Sequence, residues 1–314
     1  MTNAVSDISA PGAANPGLFE ARYLAFLETV RDLRPKLHKY CARMTGSVFD
    51  GEDVVQDALF HAYRRLDSFD DTRPRAPWLF RIAHNQCIDF LRRRDVRQRA
   101  EAEAAVPDVV EPVEASGPAV GRAIEHLVLA LPPKERACVL LKDVFDYSLG
   151  EIAELVDSTV GGVKAALSRG RAKLATLPPL STTSRASTPP ETARLLSLYV
   201  DRFDRRDWDG LRELIAADAR VRVADRYLGA LAGAPYFSQY RQRSYPWRAA
   251  VGVVDGVPVV VIMRLEGASW ATQAIARIEF VGERVATITD YTHCPWVVAS
   301  ARPLVANAND ARIL

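Results

Sequence analysis

Apolar residues along the chain change their spacing twice. From about Leu18 to Arg99 they recur at helical intervals, as on the buried stripe of a helix, and again from about Val120 to Leu177. From about Thr192 to Leu304 a helical opening gives way to short β-branched runs set off by glycine. Between these blocks lie EAEAAVPDVVEPVEASGP and LPPLSTTSRASTPPE, whose prolines and small residues break any period, so both read as linkers. The expected organisation is a disordered lead (1–17), a helical unit (18–99), a linker (100–119), a second helical unit (120–177), a second linker (178–191), an α+β unit (192–305) and a tail (306–314).

In WLFRIAHNQCIDFLRRR, projected at about 100° per residue, Leu79, Phe80, Ala83, Cys87, Phe90 and Leu91 share one side. Trp78, Arg81, Ile82, Asn85, Asp89 and Arg92 share the other. An aromatic ring among arginines and an asparagine suits unpaired nucleic acid: the ring stacks on a base, Asn reaches a base edge and Arg holds phosphates. Packing of Trp78 on a neighbouring helix is the alternative. In GEDVVQDALFHAYRRL, Val54, Val55, Ala58, Leu59, Ala62 and Leu66 form a core face, leaving Asp53, Gln56, Asp57, Phe60 and Arg64 outside. An exposed Phe60 between carboxylates suits a protein interface, the acids setting partner choice.

SLGEIAELVDSTVGGVKAALSRGRAKL predicts two short helices. Ser148 and Glu151 have the capping-box spacing, and Ile152, Leu155 and Val156 are apolar. Asp157 and Ser158 form the turn, Asp tolerating left-handed backbone better than most residues. Thr159 caps a helix with core positions Val160, Val163 and Leu167, leaving Lys164, Ala165, Ser168, Arg169 and Arg171 exposed. This is the outline of a DNA-reading helix-turn-helix with its basic second helix in the major groove; helical hairpins without DNA function share it. LPPKERACVLLKDVFD supplies a packing helix, with Pro132 or Pro133 suited to its first turn. In the third unit, ARLLSLYVDRFDRRDWDGLRELIAAD is expected to be one leading helix. WRAAVGVVDGVPVVVIMRL is two strands around an Asp255-Gly256 hairpin turn, and WATQAIARIEF and RVATITDY meet through Val281-Gly282-Glu283 in an antiparallel meander.

Composition adds limits. Of the 314 residues 48% are hydrophobic and 25% charged, the balance of a globular protein. No apolar run approaches the ~20 residues of a bilayer span, and no secretion signal opens the chain. The four cysteines are far apart, as expected of buried thiols in a reducing cytoplasm and not of a disulfide framework or metal site. Net charge is only +2, but it is segregated: arginines dominate from Arg73 to Arg99, Lys164–Lys173 contains no acid, and acids gather around Glu52–Asp57 and Glu101–Glu114.

GEDVVQDALFHAYRRLDSFD followed by APWLFRIAHNQCIDFLRRR closely resembles sigma region two of extracytoplasmic-function (ECF) sigma factors, and LPPKERACVLLKDVFDYSLGEIAELVDSTVGGVKAALSRGRAKL resembles their region four. The resemblance covers roughly residues 18–177. It implies two all-α domains, cytoplasmic location, and a non-enzymatic role in transcription initiation with core RNA polymerase and promoter DNA as partners. It places Asp53, Gln56, Asp57 and Phe60 against the clamp helices of the largest subunit, and region four at the flap of the second-largest. Arg73, Trp78, Arg81, Asn85 and Arg92 then fall where the minus-ten element is melted and read as a single strand, with the loop Asp70–Pro77 receiving a flipped base. Thr159, Lys164, Ser168, Arg169 and Arg171 fall on the reader of the minus-thirty-five element. Gly162, Ala165 and Ala166 depart from the Thr and Ser-Arg usual there, and Gly170 inside a helix costs roughly 1 kcal/mol relative to Ala. A weak or unusual minus-thirty-five preference is expected.

The third unit resembles the SnoaL-like cone-shaped α+β fold, through RRDWDGLRELIAADARVRV, DGVPVVVIMR and GERVATITDY, and lacks the DGGGK-type motif of one sigma group that carries such a domain. Relatives of this fold use pocket Asp, Tyr and His residues as acids and bases, which makes Tyr199, Asp225, Asp290, Tyr291 and His293 candidates. A regulatory domain, packing on the sigma part or sensing a small ligand, is the favoured expectation, without cofactor, metal or membrane. The alternative is a SnoaL-like enzyme, of isomerase, cyclase or hydrolase type, fused to a DNA-binding region.

Overall fold

A computed structural model describes residues 16–104, 128–177, 189–301 and 303–305. The first 15 residues of the expected lead, 105–119 of the first linker, 120–127 of the second unit, 178–188 of the second linker and the tail 306–314 lie outside the described residues.

The first unit is three helices, α1 (Pro16–Thr45), α2 (Val48–Arg64) and α3 (Arg75–Ala104), the last running five residues past the expected end at Arg99. Gly46 ends α1 with a left-handed φ of 84°, its N–H donating to Ala42 O at 2.8 Å. Ser47 then caps α2, accepting from the Asp50 N–H. A Cβ on Gly51 would lie 2.5 Å from the Ala42 backbone, so the two helices touch where only glycine fits. Leu37, Tyr40 and Met44 of α1, Val54, Val55 and Ala58 of α2, and Leu79, Phe80, Ala83 and Cys87 of α3 fill the core. Ile82, expected outside, is buried in that core, and Phe90, expected inside, is half-buried.

The second unit comprises α4 (Pro133–Val139), which widens into a π turn over Leu140–Val144, then α5 (Leu149–Leu155) and α6 (Val160–Thr176). The Ser148–Glu151 capping box forms in both directions, and Thr159 accepts from the Gly162 N–H at 3.0 Å. Asp157 takes the left-handed turn conformation with φ 49°. Val160, expected in the core, is 42% exposed because it opens α6. Gly170 has a packing reason: a Cβ there would lie 2.9 Å from Val139 Cγ2, so α6 approaches α4 more closely than alanine allows. The two helical units share one apolar core: Phe80 lies 5.8 Å from Tyr147, and Tyr40 6.1 Å from Phe145. Arg136 fastens them, donating to Met44 O of α1 and to the Leu129 and Leu131 carbonyls of its own unit.

The third unit is α+β, as expected. Its opening is two helices, α7 (Pro190–Asp204) and α8 (Trp208–Leu214), broken at Arg206, whose φ is 61°. The Ile215–Asp218 end of the expected helix is instead the start of β1 (Ile215–Val223). Then follow β2 (Tyr227–Ala230), α9 (Tyr236–Arg241), β3 (Trp247–Val254), β4 (Val257–Glu266), β5 (Ser269–Val281), β6 (Arg284–Asp290), α10 (Pro295–Ala301) and β7 (Leu304–Val305). The sheet order is β2-β1-β6-β5-β4-β3-β7. It is not wholly the expected antiparallel meander, since β1 pairs parallel with β6. Asp255 and Gly256 both have positive φ, as the β3–β4 hairpin requires.

Both faces of the sheet are buried, which explains why β4 reads as an unbroken apolar run. Val260 and Ile262 face the core under α7–α9, with Ala274 and Ile278 of β5. Val259, Val261 and Met263 face the other way, with Ile275. That second layer contains α10 (Val297, Ala301) and three residues of the first unit: Ala42, Val48 and Phe49. The third unit therefore docks on the α1–α2 corner through a common core.

Candidate polymerase and nucleic-acid interfaces

On α2 the four expected docking residues divide. Asp57 is exposed, and Phe60 is 59% exposed with the Arg64 guanidinium 5.8 Å from its ring centre. Asp53 and Gln56 are half-buried and held by one residue of the third unit: Arg222 of β1 pairs with Asp53 at 2.7 Å and donates to Gln56 Oε1 at 2.5 Å.

Beneath them lies a buried polar hub. Glu52 is wholly buried and accepts from Arg34 of α1, from Gln56 Nε2 at 3.1 Å and from Trp296 Nε1 of α10 at 2.7 Å. Burial raises its pKa, and the Arg34 charge opposes the rise. Arg34 also donates to Asp225 at 2.9 Å and lies 4.9 Å from the Trp296 ring centre. Glu52, Asp225 and Cys294 bring ligand-type atoms within 4.8 Å of one another. The Arg34 guanidinium already sits on both carboxylates and supplies the positive charge there. The β3–β4 turn completes the seam, Asp255 accepting from the Val48 N–H at 2.8 Å in the first turn of α2.

Along α3, Arg81, Asn85 and Arg92 are exposed on one stripe. Trp78 differs from the open ring expected: it is half-buried, 4.6 Å from the ring of Phe69, so one side is packed. The preceding loop is built rigidly. Thr72 donates to Asp70 through N–H and hydroxyl, which lowers the Asp70 pKa, and Arg73 pairs with Asp70 at 3.4 Å. Asp71 receives Arg22 of α1 and Arg75.

On the helix-turn-helix, Thr159, Lys164, Ser168, Arg169 and Arg171 are all exposed. Lys164, Ser168 and Arg171, with Lys142, Leu149 and Leu167, line an open cavity of about 530 Å³. Two of the arginines are tied to α4 and its extension: Arg169 to Glu135 at 2.7 Å and Arg171 to Asp143 at 2.5 Å.

The five candidates of the third unit do not converge. Asp290 is wholly buried, accepting from Tyr240 and Tyr236 at Oδ2 and from the Thr292 N–H at Oδ1, and burial raises its pKa. Tyr199 is buried beside Phe203. Tyr291 is buried against Phe49. Asp225 belongs to the seam with α1, and His293 is exposed.

The Sigma-70 region 2 family matches residues 29–97, and Sigma-70, region 4 matches residues 121–174. The chain is 36% identical over 162 residues to the ECF RNA polymerase sigma factor SigW of Bacillus subtilis (strain 168), covering 48% of this chain and 87% of the relative. The chain belongs to the ECF RNA polymerase sigma factor family. It is also 32% identical over 218 residues to the ECF sigma factor SigG of Mycobacterium tuberculosis, covering 59% of this chain and 58% of that one. Among solved structures, the Mycobacterium tuberculosis ECF sigma factor SigJ aligns with 84% of this chain and 95% of its own, at 17% identity and a TM-score of 0.34. The two matched sigma regions are thus the two helical units. Among the described residues no helix is long and apolar enough to cross a membrane.

Sequence reasoning missed the seam between this sigma core and the third unit: Arg34, Glu52, Arg222 and Trp296. One signal was present. Glu52 lies three and four residues from Val55 and Val48, on the buried stripe of α2, and a carboxylate on a core stripe asks for a buried partner.

Proposed function

We propose that this sigma-family chain binds core RNA polymerase in the cytoplasm, directs it to promoters through α3 and the helix-turn-helix, and is held in a resting form by its C-terminal domain. The observation that carries the resting form is Arg222, which occupies Asp53 and Gln56, half of the surface that the resemblance assigns to the polymerase clamp. The docking of region four on region two supports the same reading. Elements named minus ten and minus thirty-five lie about 25 base pairs apart, roughly 85 Å at 3.4 Å each. A packed body of roughly 140 residues spans only roughly 40 Å. Reading both elements therefore requires the shared helical core to open.

An acid–base enzyme is the competing reading of the third domain. Asp290 takes three protein hydrogen bonds while wholly buried, an arrangement that satisfies the carboxylate and stiffens the fold. That favours regulation over catalysis.

The test is run-off transcription with core enzyme, comparing the full chain with Arg222→Ala. Partly exposed ion pairs contribute ~0.2–1 kcal/mol, so an increase in core binding and transcript of about two- to five-fold is expected. No transcript from either protein on any selected promoter removes the sigma reading. Equal transcript from both removes the masking role of Arg222.

A further inference from the structure

We infer that the C-terminal domain binds a small oxyanion, a carboxylate or phosphate group, between Arg243 and Arg264. The two arginines come from different elements, Arg243 from the segment after α9 and Arg264 from the end of β4. They meet around one ring: the guanidinium carbon of Arg264 lies 4.5 Å from the centre of Tyr245, and that of Arg243 lies 5.7 Å from it.

Neither guanidinium forms an ion pair among the described residues. Arg194, Arg202, Arg205, Arg212, Arg222 and Arg277 of the same domain have carboxylate partners, whereas Arg220, Arg226, Arg241, Arg248 and Arg284 also lack one among the described residues; what sets Arg243 and Arg264 apart is that both lie against the one Tyr245 ring. The charge of Arg243 acts on the buried Asp290, Arg264 has no such partner, and an anion beside both guanidiniums lowers the repulsion between them. Arg243 is half-buried, stacked 4.3 Å above Tyr240, and its hydrogen bonds to Gln273 Oε1 and Thr292 Oγ1 are long, 3.4 and 3.5 Å. A guanidinium has five N–H donors in a fork that matches a carboxylate or phosphate edge, and these long bonds leave that fork largely unused.

Gln273 adds a neutral donor. It is the extra residue of the β5 bulge, between Thr272 and Ala274, whose partners Met263 and Ile262 are adjacent. The bulge re-aims its side chain toward Tyr245, whose hydroxyl donates to Oε1 at 2.9 Å. With that oxygen committed to Tyr245 and Arg243, the amide N–H2 remains to donate. The nearest buried acid, Asp290, does not compete, because its oxygens are held by Tyr236, Tyr240 and Thr292. Binding at this place does not require the regulatory reading of the domain.

The experiment is calorimetric titration of the full chain at fixed ionic strength, with inorganic phosphate in one arm and citrate in the other. Saturable binding of at least one is expected, with phosphate alone marking a phosphate site and citrate alone a carboxylate site. Arg264→Gln and Arg243→Gln should each weaken it five-fold or more, while Arg226→Gln, at an exposed position in the β1–β2 turn, leaves it unchanged. Arg264 is exposed, so its variant keeps the fold and decides the question if Arg243→Gln does not. No saturable binding of either anion, binding indifferent to Arg264→Gln, or equal loss in Arg226→Gln overturns the site.

Discussion

Phe49, in the first turn of α2, has its ring 5.2 Å from that of Tyr291, the residue that follows β6. Both are wholly buried, and Arg277 of β5 lies 5.2 Å from the Phe49 ring centre on its way to solvent. Core Phe→Ala changes cost ~3–5 kcal/mol. Phe49→Ala should therefore lower the urea unfolding midpoint and speed proteolytic release of the C-terminal domain. A sigma core cut before Pro190 exposes Ala42, Val48 and Phe49 together and should self-associate, which light scattering would detect.

Acid should loosen the same corner. His38 donates from Nε2 to Val48 O at 3.0 Å and meets Ser300 of α10 at 3.3 Å; burial, aided by Arg34, lowers its pKa to about 4. His84, 2.7 Å from the Tyr40 hydroxyl, is lowered to about 4 by burial. Above pH 6.5 both are neutral, folded or unfolded. Between pH 6.5 and about 4 the unfolded chain takes protons that the folded chain refuses, so stability falls by up to about 3 kcal/mol per histidine. Glu52 and Asp290, raised by burial, act in the opposite sense, favouring the folded state at low pH. The melting temperature should drop between pH 7 and 5, and less steeply in His38→Gln.

Arg136 is buried, and burial lowers its pKa to about 10, which leaves it charged at neutral pH. Arg136→Met keeps the stem but leaves the Met44, Leu129 and Leu131 carbonyls without their donor. A destabilisation of about 3 kcal/mol is expected from charge-assisted bonds of this kind. Paired fluorophores on α3 and α6 should report a larger separation.

Releasing a reader arginine should strengthen DNA contact. Asp143→Asn frees Arg171, whose pKa the Asp143 hydrogen bond raises. Duplex affinity should then rise at low salt, and the slope of log K against log salt should steepen by about one phosphate contact.

Trp78 has one packed side and one available side. Trp78→Ala should impair promoter opening, read by permanganate footprinting, more than closed-duplex binding, since stacking on an unpaired base contributes ~1–3 kcal/mol.

What was legible in the sequence was local. The capping box at Ser148, the Thr159 cap, the Asp157 turn and the Asp255-Gly256 hairpin are formed by residues within a few positions of each other, and all form as expected. The sigma core face of α2 was legible because its period is set by one neighbour. Misreadings arose where distant segments meet. Ile82 joins a core to which both helical units contribute. The leading helix breaks at Arg206, whose guanidinium bonds Trp247 O and stacks 3.8 Å over its ring, 41 residues away. Arg222 reads as an ordinary charge on a strand until the fold brings it to Asp53. The candidate acid–base set failed to converge because alternate faces of one sheet send Asp290 toward α9, while the turn after β1 sends Asp225 toward α1.

The layer formed by Ala42, Val48 and Phe49 with Val259, Val261 and Met263 bears on how this architecture can change over time. A border drawn at the proline-rich linker suggests parts that recombination could exchange freely. The packing draws the border elsewhere, through α1 and α2. A C-terminal domain transplanted from another family member would arrive with its own counterpart of Met263 and Tyr291 and meet a corner shaped for different side chains. Functional chimeras should therefore need the α1–α2 corner and the sheet to travel together, and substitutions on either side of the seam should covary.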